Sequence, residues 1–255
     1  MVTLDKIYHA SFVLKDIIRK TDMIYAPKIR KDCEVYLKTE NLQVTGSFKV
    51  RGAAYKISQL SAEDKAKGVI ACSAGNHAQG VALSCNKLQI VGKIFMPVTT
   101  PKQKINQVKM FGGEFVEVVL VGDTFDQANQ AAIETCEAEG KTFIPPFNDK
   151  KIIEGQGTVG LEILQQSRVA IDYIFVPIGG GGLASGLGSV CKLMSPNTKV
   201  IGVEPAGAAG MKRSFEKGEV VELGEIDKFV DGAAVQKVGD ITFDICRKVL
   251  DDIVV

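Results

Sequence analysis

Short uninterrupted apolar runs alternate with helical patterns along most of this 255-residue chain. "GVIACSAGNHAQGVALSCNKL" reads as strand, loop and helix, and "IVGKIFMP" as the next strand. "TPKQKINQVKMFGG" reads as a helix stopped by glycine, and "EFVEVVLVG" as another strand. "TFDQANQAAIETCEAEG" predicts a helix opening at a Thr or Asp cap. "DYIFVPIGGGGLASGLGSVCKLM" is strand, glycine loop and helix, and "TKVIGVEP" is strand again. Such alternation predicts an α/β fold of open, mostly parallel sheets with helices on both faces.

The double proline in "FIPPFND", Phe143 to Asp149, interrupts any regular element and predicts a boundary there. The expected organisation is a small α/β domain inserted at residues 43–144, with 1–42 and 145–255 forming a larger one. A chain of 255 residues exceeds the usual size of a single core, which agrees.

Composition changes the picture by exclusion. Hydrophobic residues at 45% and charged residues at 24% are those of an ordinary globular protein, and a net charge of +1 offers no basic field for nucleic acid. The N-terminal stretch "MVTLDKIYHASFVLKD" mixes charges into its apolar positions, so neither a signal peptide nor a membrane span is expected. Six scattered cysteines without a C-x-x-C pair suit neither a disulfide framework nor a zinc site, and point to a reducing cytoplasm.

Ligands of open α/β sheets bind beyond the carboxyl ends of strands, where loops feed helix N-termini. Two loops here are built for anions. In "VPIGGGGLASG", Gly179, Gly180, Gly181 and Gly182 follow a strand and open a helix. Without side chains, backbone N–H groups approach a phosphate closely, and the helix dipole favours its charge. In "CSAGNHAQG", the residues Ser73, Ala74, Gly75, Asn76 and His77 offer a hydroxyl, an amide and backbone donors to a carboxylate. Taken alone, the glycine run also reads as a linker, His77 as a structural histidine and Lys49 as a surface lysine.

A dinucleotide reading competes at the glycine loop. Gly179, Gly181 and Ala184 fit G-x-G-x-x-G/A, and Glu204 ends the next strand about twenty residues on, where the ribose-binding acid belongs. An NAD-linked dehydrogenase follows from that segment alone. Its fingerprint usually opens a domain, however, and it leaves "SFKVRGA" and "SAGNHAQG" without a role.

Taken together, "TGSFKVRGA", "SAGNHAQG" and "PIGGGGLASG", in that order, resemble the fold-type II pyridoxal-phosphate enzymes. The similarity is greatest to the threonine/serine dehydratase and serine racemase branch, and it runs on through "EGQGTVGLEI" and "FVDGAAV". The sulfhydrylase and cystathionine synthase branch is less similar, because its lysine motif reads K-D-R where this chain has Lys49-Val50-Arg51.

The resemblance implies a cofactor, pyridoxal 5'-phosphate, condensed with Lys49, and a small-molecule amino acid as substrate. Lysine chemistry agrees, since a lysine amine condenses with an aldehyde once its site lowers the pKa. It further implies Phe48 packing near the ring, Gly179 to Gly182 with Leu183 on the phosphate, and Asn76 on the phenolic oxygen. Gly232 lines the cofactor, and the Ser73–His77 loop holds the substrate carboxylate. The implied reaction frees Lys49 to remove the α-proton, expels the β-hydroxyl, and ends in a 2-oxo acid and ammonia. Threonine yields 2-oxobutanoate and serine yields pyruvate. A cytoplasmic homo-oligomer, dimer or tetramer, is implied too, with no nucleic acid and no membrane.

One residue separates the branch's two activities. Serine racemases read S-S-G-N-H in this loop, and their second serine carries a proton on the face opposite the lysine. Ala74 stands there instead, which favours elimination, with a serine racemase-like enzyme as the alternative. Relatives that bind a divalent cation use a glutamate and a following aspartate. Glu204 fits the first, but Gly210 occupies the second, so no metal is expected. "DDIVV" reads as an internal strand, and the family usually continues beyond it to a serine or cysteine facing the pyridine nitrogen. A shortened C-terminal part is therefore expected, with a catalytically impaired cofactor- or amino-acid-binding homologue as a further alternative.

Overall fold

The apolar runs form the strands of two parallel sheets in the computed structural model, which describes residues 2–255. Met1, the first residue of the N-terminal stretch, lies outside them. Helix α1 (Leu4–Leu14) is followed by an antiparallel ribbon of β1 (Met23–Tyr25) and β2 (Tyr36–Lys38). Helices α2 (Lys49–Ser58) and α3 (Ala62–Lys67) lead into β3 (Val69–Cys72). Next come α4 (Asn76–Leu88), β4 (Gly92–Met96) and α5 (Lys102–Gly112). The segment closes with β5 (Val116–Leu120), α6 (Phe125–Glu139) and β6 (Thr142–Phe143). Its four strands pair in the order β5-β4-β3-β6, all parallel.

The period of two along these strands sorts their side chains onto two cores. Val69, Ala71, Ile94 and Met96 pack with Ala53 and Ile57 of α2 and Ala78, Val81, Ala82 and Cys85 of α4. Ile70, Cys72 and Phe95 point the other way, onto Ala128 and Ala132 of α6. Both faces are covered, which is why the strands carry no polar alternation. Helix starts follow local chemistry, as where Thr124 and Gln127 form a capping box at α6.

The second sheet is built from the later segments. Helix α7 (Lys150–Gln166) precedes β7 (Tyr173–Pro177), α8 (Gly182–Met194) and β8 (Lys199–Val203). Helices α9 (Gly210–Lys217) and α10 (Asp240–Val249) precede β9 (Asp252–Val254). The strand order is β7-β8-β9, again parallel. Ile174, Val176, Val200 and Ile253 bury against Leu183 and Leu187 of α8 and Phe243 and Cys246 of α10. On the opposite face Tyr173 and Phe175 remain 61% and 64% exposed. Cover on both faces, expected from the strand pattern, is thus present for the first sheet. The second has its described helices on one side.

Candidate active site

Lys49 opens α2, so its side chain leaves the first turn of a helix gripped from two directions. On one side α4 lies close enough that a Cβ on Gly80 would sit 3.1 Å from the Lys49 carbonyl carbon. On the other, Arg51 is fully buried in a cluster that ties α2 to α7 and to the chain before it. Its guanidinium donates to both carboxylate oxygens of Glu40 at 2.8 Å and to those of Glu162 at 2.7 and 3.0 Å. Lys38 donates to the same Glu162 at 2.6 Å. Two cations facing two carboxylates leave no uncompensated charge in the core. Burial works against the Glu162 carboxylate, yet its bonds to Arg51 and Lys38 hold its pKa below the ordinary value.

The Lys49 amine projects into a cavity of about 210 Å³ that reaches the side chain while most of the residue is packed. Nζ donates to the Pro146 carbonyl at 3.0 Å and lies 5.6 and 6.0 Å from the Phe48 and Phe147 ring centres. Among the described residues no carboxylate pairs with it. Desolvation alone pulls its pKa down to about 8, making a free amine available near neutral pH.

Across the cavity lies the glycine loop between β7 and α8. Gly179 to Gly182, Leu183, Phe48, Lys49 and Gly232 all line the cavity, together with Pro146, Phe147, Gln156, Pro177, Val230, Ala233 and Val235. Gly181 adopts φ +90°, and a Cβ on it would sit 2.7 Å from Met211 Cε and 2.9 Å from Thr242 Cβ. A Cβ on Gly180 would overlap the Phe147 ring. Only glycine fits either position. Among the described residues the N–H groups of Gly180 to Leu183 find no acceptor, and they lie at the N-terminus of α8. Orphan donors at the positive end of a helix suit an anion, and the apolar walls suit a flat ring. The amine, ring slot and anion cradle together fit a phosphorylated aromatic aldehyde.

The Ser73–His77 loop does not line this cavity. It links β3 to α4, and its fold is local: Ser73 N–H donates to the Phe95 carbonyl, and Gly75 N–H to Ser73 Oγ. Asn76 is exposed, apart from the other residues expected around the cofactor. His77 is buried, with Nε2 2.8 Å from the Ile144 carbonyl oxygen. Burial, and next the charge of Lys49, push its pKa down to about 3, so it is a neutral donor to that carbonyl. His77 and Lys49 are therefore pinned to the same stretch, Ile144 to Pro146.

Glu204, the acid of the dinucleotide reading, is occupied elsewhere. Its carboxylate accepts the N–H groups of Met211 and Lys212, both at 2.8 Å, at the start of α9. Burial raises its pKa despite those bonds. Phe147 and Pro146 were not singled out from the sequence as site residues. The double proline that marks a boundary is the one signal there, and it says nothing about a carbonyl aimed at Lys49.

Residues 14–255 match the family described as pyridoxal-phosphate dependent enzyme. The chain belongs to that family. Its cofactor is the phosphorylated aldehyde that the cavity fits, and the dehydrogenase reading falls away. The L-threonine dehydratase biosynthetic IlvA of Halalkalibacterium halodurans is 54% identical over 255 residues, covering 99% of this chain and 61% of that protein. The protein of the same name from Bacillus subtilis is 50% identical, covering 99% and 60%. The chain thus spans about three fifths of the length of these curated relatives. Among solved structures, the processed form of threonine deaminase isoform 2 from Solanum lycopersicum superposes with a TM-score of 0.92 at 44% identity, covering 99% of this chain and 74% of that one. Maize serine racemase gives 0.93 at 32%, covering 99% and 76%. This pyridoxal-phosphate family member therefore shares the expected fold-type II α/β architecture.

Proposed function

We propose that this chain carries the cofactor-binding and proton-transfer apparatus of a threonine dehydratase that also accepts serine. The observation that carries the reading is the convergence of a desolvated lysine amine and a side-chain-free anion cradle on one cavity. Identity of 54% to a relative named threonine dehydratase supports the substrate.

When bound, pyridoxal 5'-phosphate supplies an electron sink for the pair left on the substrate Cα. Lys49 is the residue that would hold it, and the Lys49 amine would take the α-proton on Nζ. Gly179 to Gly182 and Leu183 hold the phosphate through N–H groups, while Phe48, Phe147 and Gly232 bound the ring. Ser73, Ala74, Gly75, Asn76 and His77 would form the substrate carboxylate loop, and Asn76 would serve the cofactor's phenolic oxygen. The α-proton and the β-hydroxyl would leave in net terms as water. Hydrolysis of the imine tautomer of the resulting enamine would consume a water to give 2-oxobutanoate and ammonia from threonine.

The division into a small unit at residues 43–144 and a larger one formed by 1–42 and 145–255 belongs to this reading. The cavity then lies where α2 and the glycine loop meet. Six free cysteines suit a reducing cytoplasm. No described helix is long and apolar enough to cross a membrane. A homo-oligomeric state enters through the resemblance alone. The maize enzyme's similarity favours serine racemase as the second reading. A panel of amino acids with ammonia detection tests the proposal. Ammonia from threonine is expected, and a coloured protein releasing none from threonine or serine would overturn it.

A further inference from the structure

The Gly180–Gly181 peptide, like its neighbours in the cradle, is not constrained by side chains of its own. Neither carries a side chain, and a Gly–Gly peptide turns over between two orientations at little steric cost. Yet the cradle works in one orientation only. In a trans peptide the C=O of one residue and the N–H of the next point in opposite directions. The Gly181 N–H faces the cavity only while the Gly180 C=O faces away from it.

What lies behind the loop is α10. Thr242 is fully buried there, and its hydroxyl donates to the Gly180 carbonyl at 2.6 Å, with the Gly239 carbonyl at 3.1 Å as a weaker alternative. Ser185 of α8 donates to the Thr242 carbonyl at 3.2 Å, tying the two helices together. The start of α10 is fixed as well, because Asn148 Oδ1 accepts the Ile241 N–H at 3.1 Å. Thr242 is not among the residues lining the cavity.

We propose that Thr242 is a positioning residue for the anion cradle, its hydroxyl holding the Gly180 carbonyl on the α10 side so that the Gly181 N–H is presented to the cofactor phosphate. The inference rests on the reading of the glycine loop as the phosphate site. Its signature is selectivity for the phosphate: the aldehyde and ring meet Lys49 and the apolar walls, which Thr242 does not touch.

The test titrates apo protein with pyridoxal 5'-phosphate and with pyridoxal, which lacks the phosphate, following the absorbance of the lysine adduct. T242V and T242A both remove the hydroxyl, one keeping the volume and one not, so packing and hydrogen bonding separate. Both should weaken pyridoxal 5'-phosphate about tenfold, the effect of one buried hydrogen bond of the stronger kind. T242S keeps the hydroxyl and should stay within about twofold of the wild type. Pyridoxal should bind all four proteins alike. Equal losses for both aldehydes, or no loss for either, would overturn the positioning role alone. A wild type that forms no adduct with pyridoxal 5'-phosphate would overturn the proposed function and this inference with it.

Discussion

Between Gly179 and Gly182 the chain has only backbone to offer a ligand, whereas Ser73, Asn76 and His77 also carry polar side chains. Both loops leave a parallel strand and open a 13-residue helix, α8 and α4. Their surroundings differ. Each Cβ added at Gly180 or Gly181 meets Phe147, Met211 or Thr242, but a Cβ on Gly75 meets nothing within 4 Å. The glycine loop is crowded from behind and tolerates no side chain at Gly180 or Gly181. The other loop is open at Gly75, so a side chain can be added there without disturbing the fold. A phosphate is the same in every reaction of such a cofactor, whereas the substrate differs. Crowding suits the constant ligand and openness suits the variable one.

The largest effect expected is at Lys49, which faces the cavity that the glycine loop lines. K49A removes the proposed attachment point and proton acceptor, and should lower turnover by more than about a thousandfold. The cradle should still retain the cofactor weakly. Borohydride reduction of the wild type followed by peptide mapping locates the attachment, and a label on any other lysine would reject the assignment. The burial-lowered pKa adds a pH dependence. Only the free amine attacks an aldehyde, so loading of apo protein should quicken as pH rises towards about 8 and level off above it. Stopped-flow absorbance reads this, and a rate still climbing near pH 10 would contradict it.

A paired substitution breaks the comparison directly. G181D places a non-glycine residue at φ +90°, drives a Cβ into Met211 and Thr242, and puts a negative charge at a helix N-terminus beside the phosphate. Cofactor affinity should fall roughly thirtyfold or more. G75A, in open space at φ −127°, should leave both cofactor affinity and stability within about twofold. Equal effects at the two positions would mean that the loops are not built differently.

His77 belongs to the open loop by sequence but to the packed interior by position. Its folded pKa of about 3 lies below the ordinary 6.5, so between these values the unfolded chain takes up a proton that the native chain refuses. Stability should therefore fall as pH drops below about 6.5, by up to about 1.4 kcal/mol per pH unit from this group. H77N keeps a donor for the Ile144 carbonyl and should remove that slope. Urea midpoints from pH 6.5 to 4.5 measure it; an unchanged slope would place the titrating group elsewhere.

The strands and helices of the first sheet were legible because two-sided burial makes each strand a bare apolar run and each cap sits beside its own helix. That Lys49 and the glycine loop would meet at one cavity was legible because each lies in a contiguous motif. The Arg51 cluster was not, since its partners Glu40 and Glu162 lie 11 and 111 positions away. Nothing in either neighbourhood announces the pairing. The β1–β2 ribbon has three residues in each strand and exposes Ile24, Tyr25, Tyr36 and Leu37, which leaves no alternation to detect. "DYIFVP" shows the converse limit. It reads as a strand buried on both faces, yet Tyr173 and Phe175 are mostly exposed because the described helices cover the other side. Thr242 was silent too, because a hydroxyl that orients a distant carbonyl looks like any helix threonine.

The smallest expected effect, and the sharpest for choosing between elimination and racemisation, is at Ala74. Inverting the α-carbon needs a proton returned from the face opposite Lys49, and a methyl group cannot supply one. The wild type should therefore give pyruvate from L-serine with negligible D-serine. A74S adds one oxygen in the open loop, next to Gly75, where a Cβ has no neighbour. Cofactor affinity should stay as it was, because residue 74 does not line the cofactor cavity. The new hydroxyl should open a slow route to D-serine, at least about a hundredfold below elimination, since an untuned serine is a poor acid at neutral pH. His77, held neutral and bonded to Ile144, is committed to packing and gives that serine no relay. Chiral chromatography of serine alongside pyruvate release reads both products from one incubation. Substantial D-serine from the unmodified chain would overturn the dehydratase assignment, because the second proton carrier would then have to be a group other than residue 74.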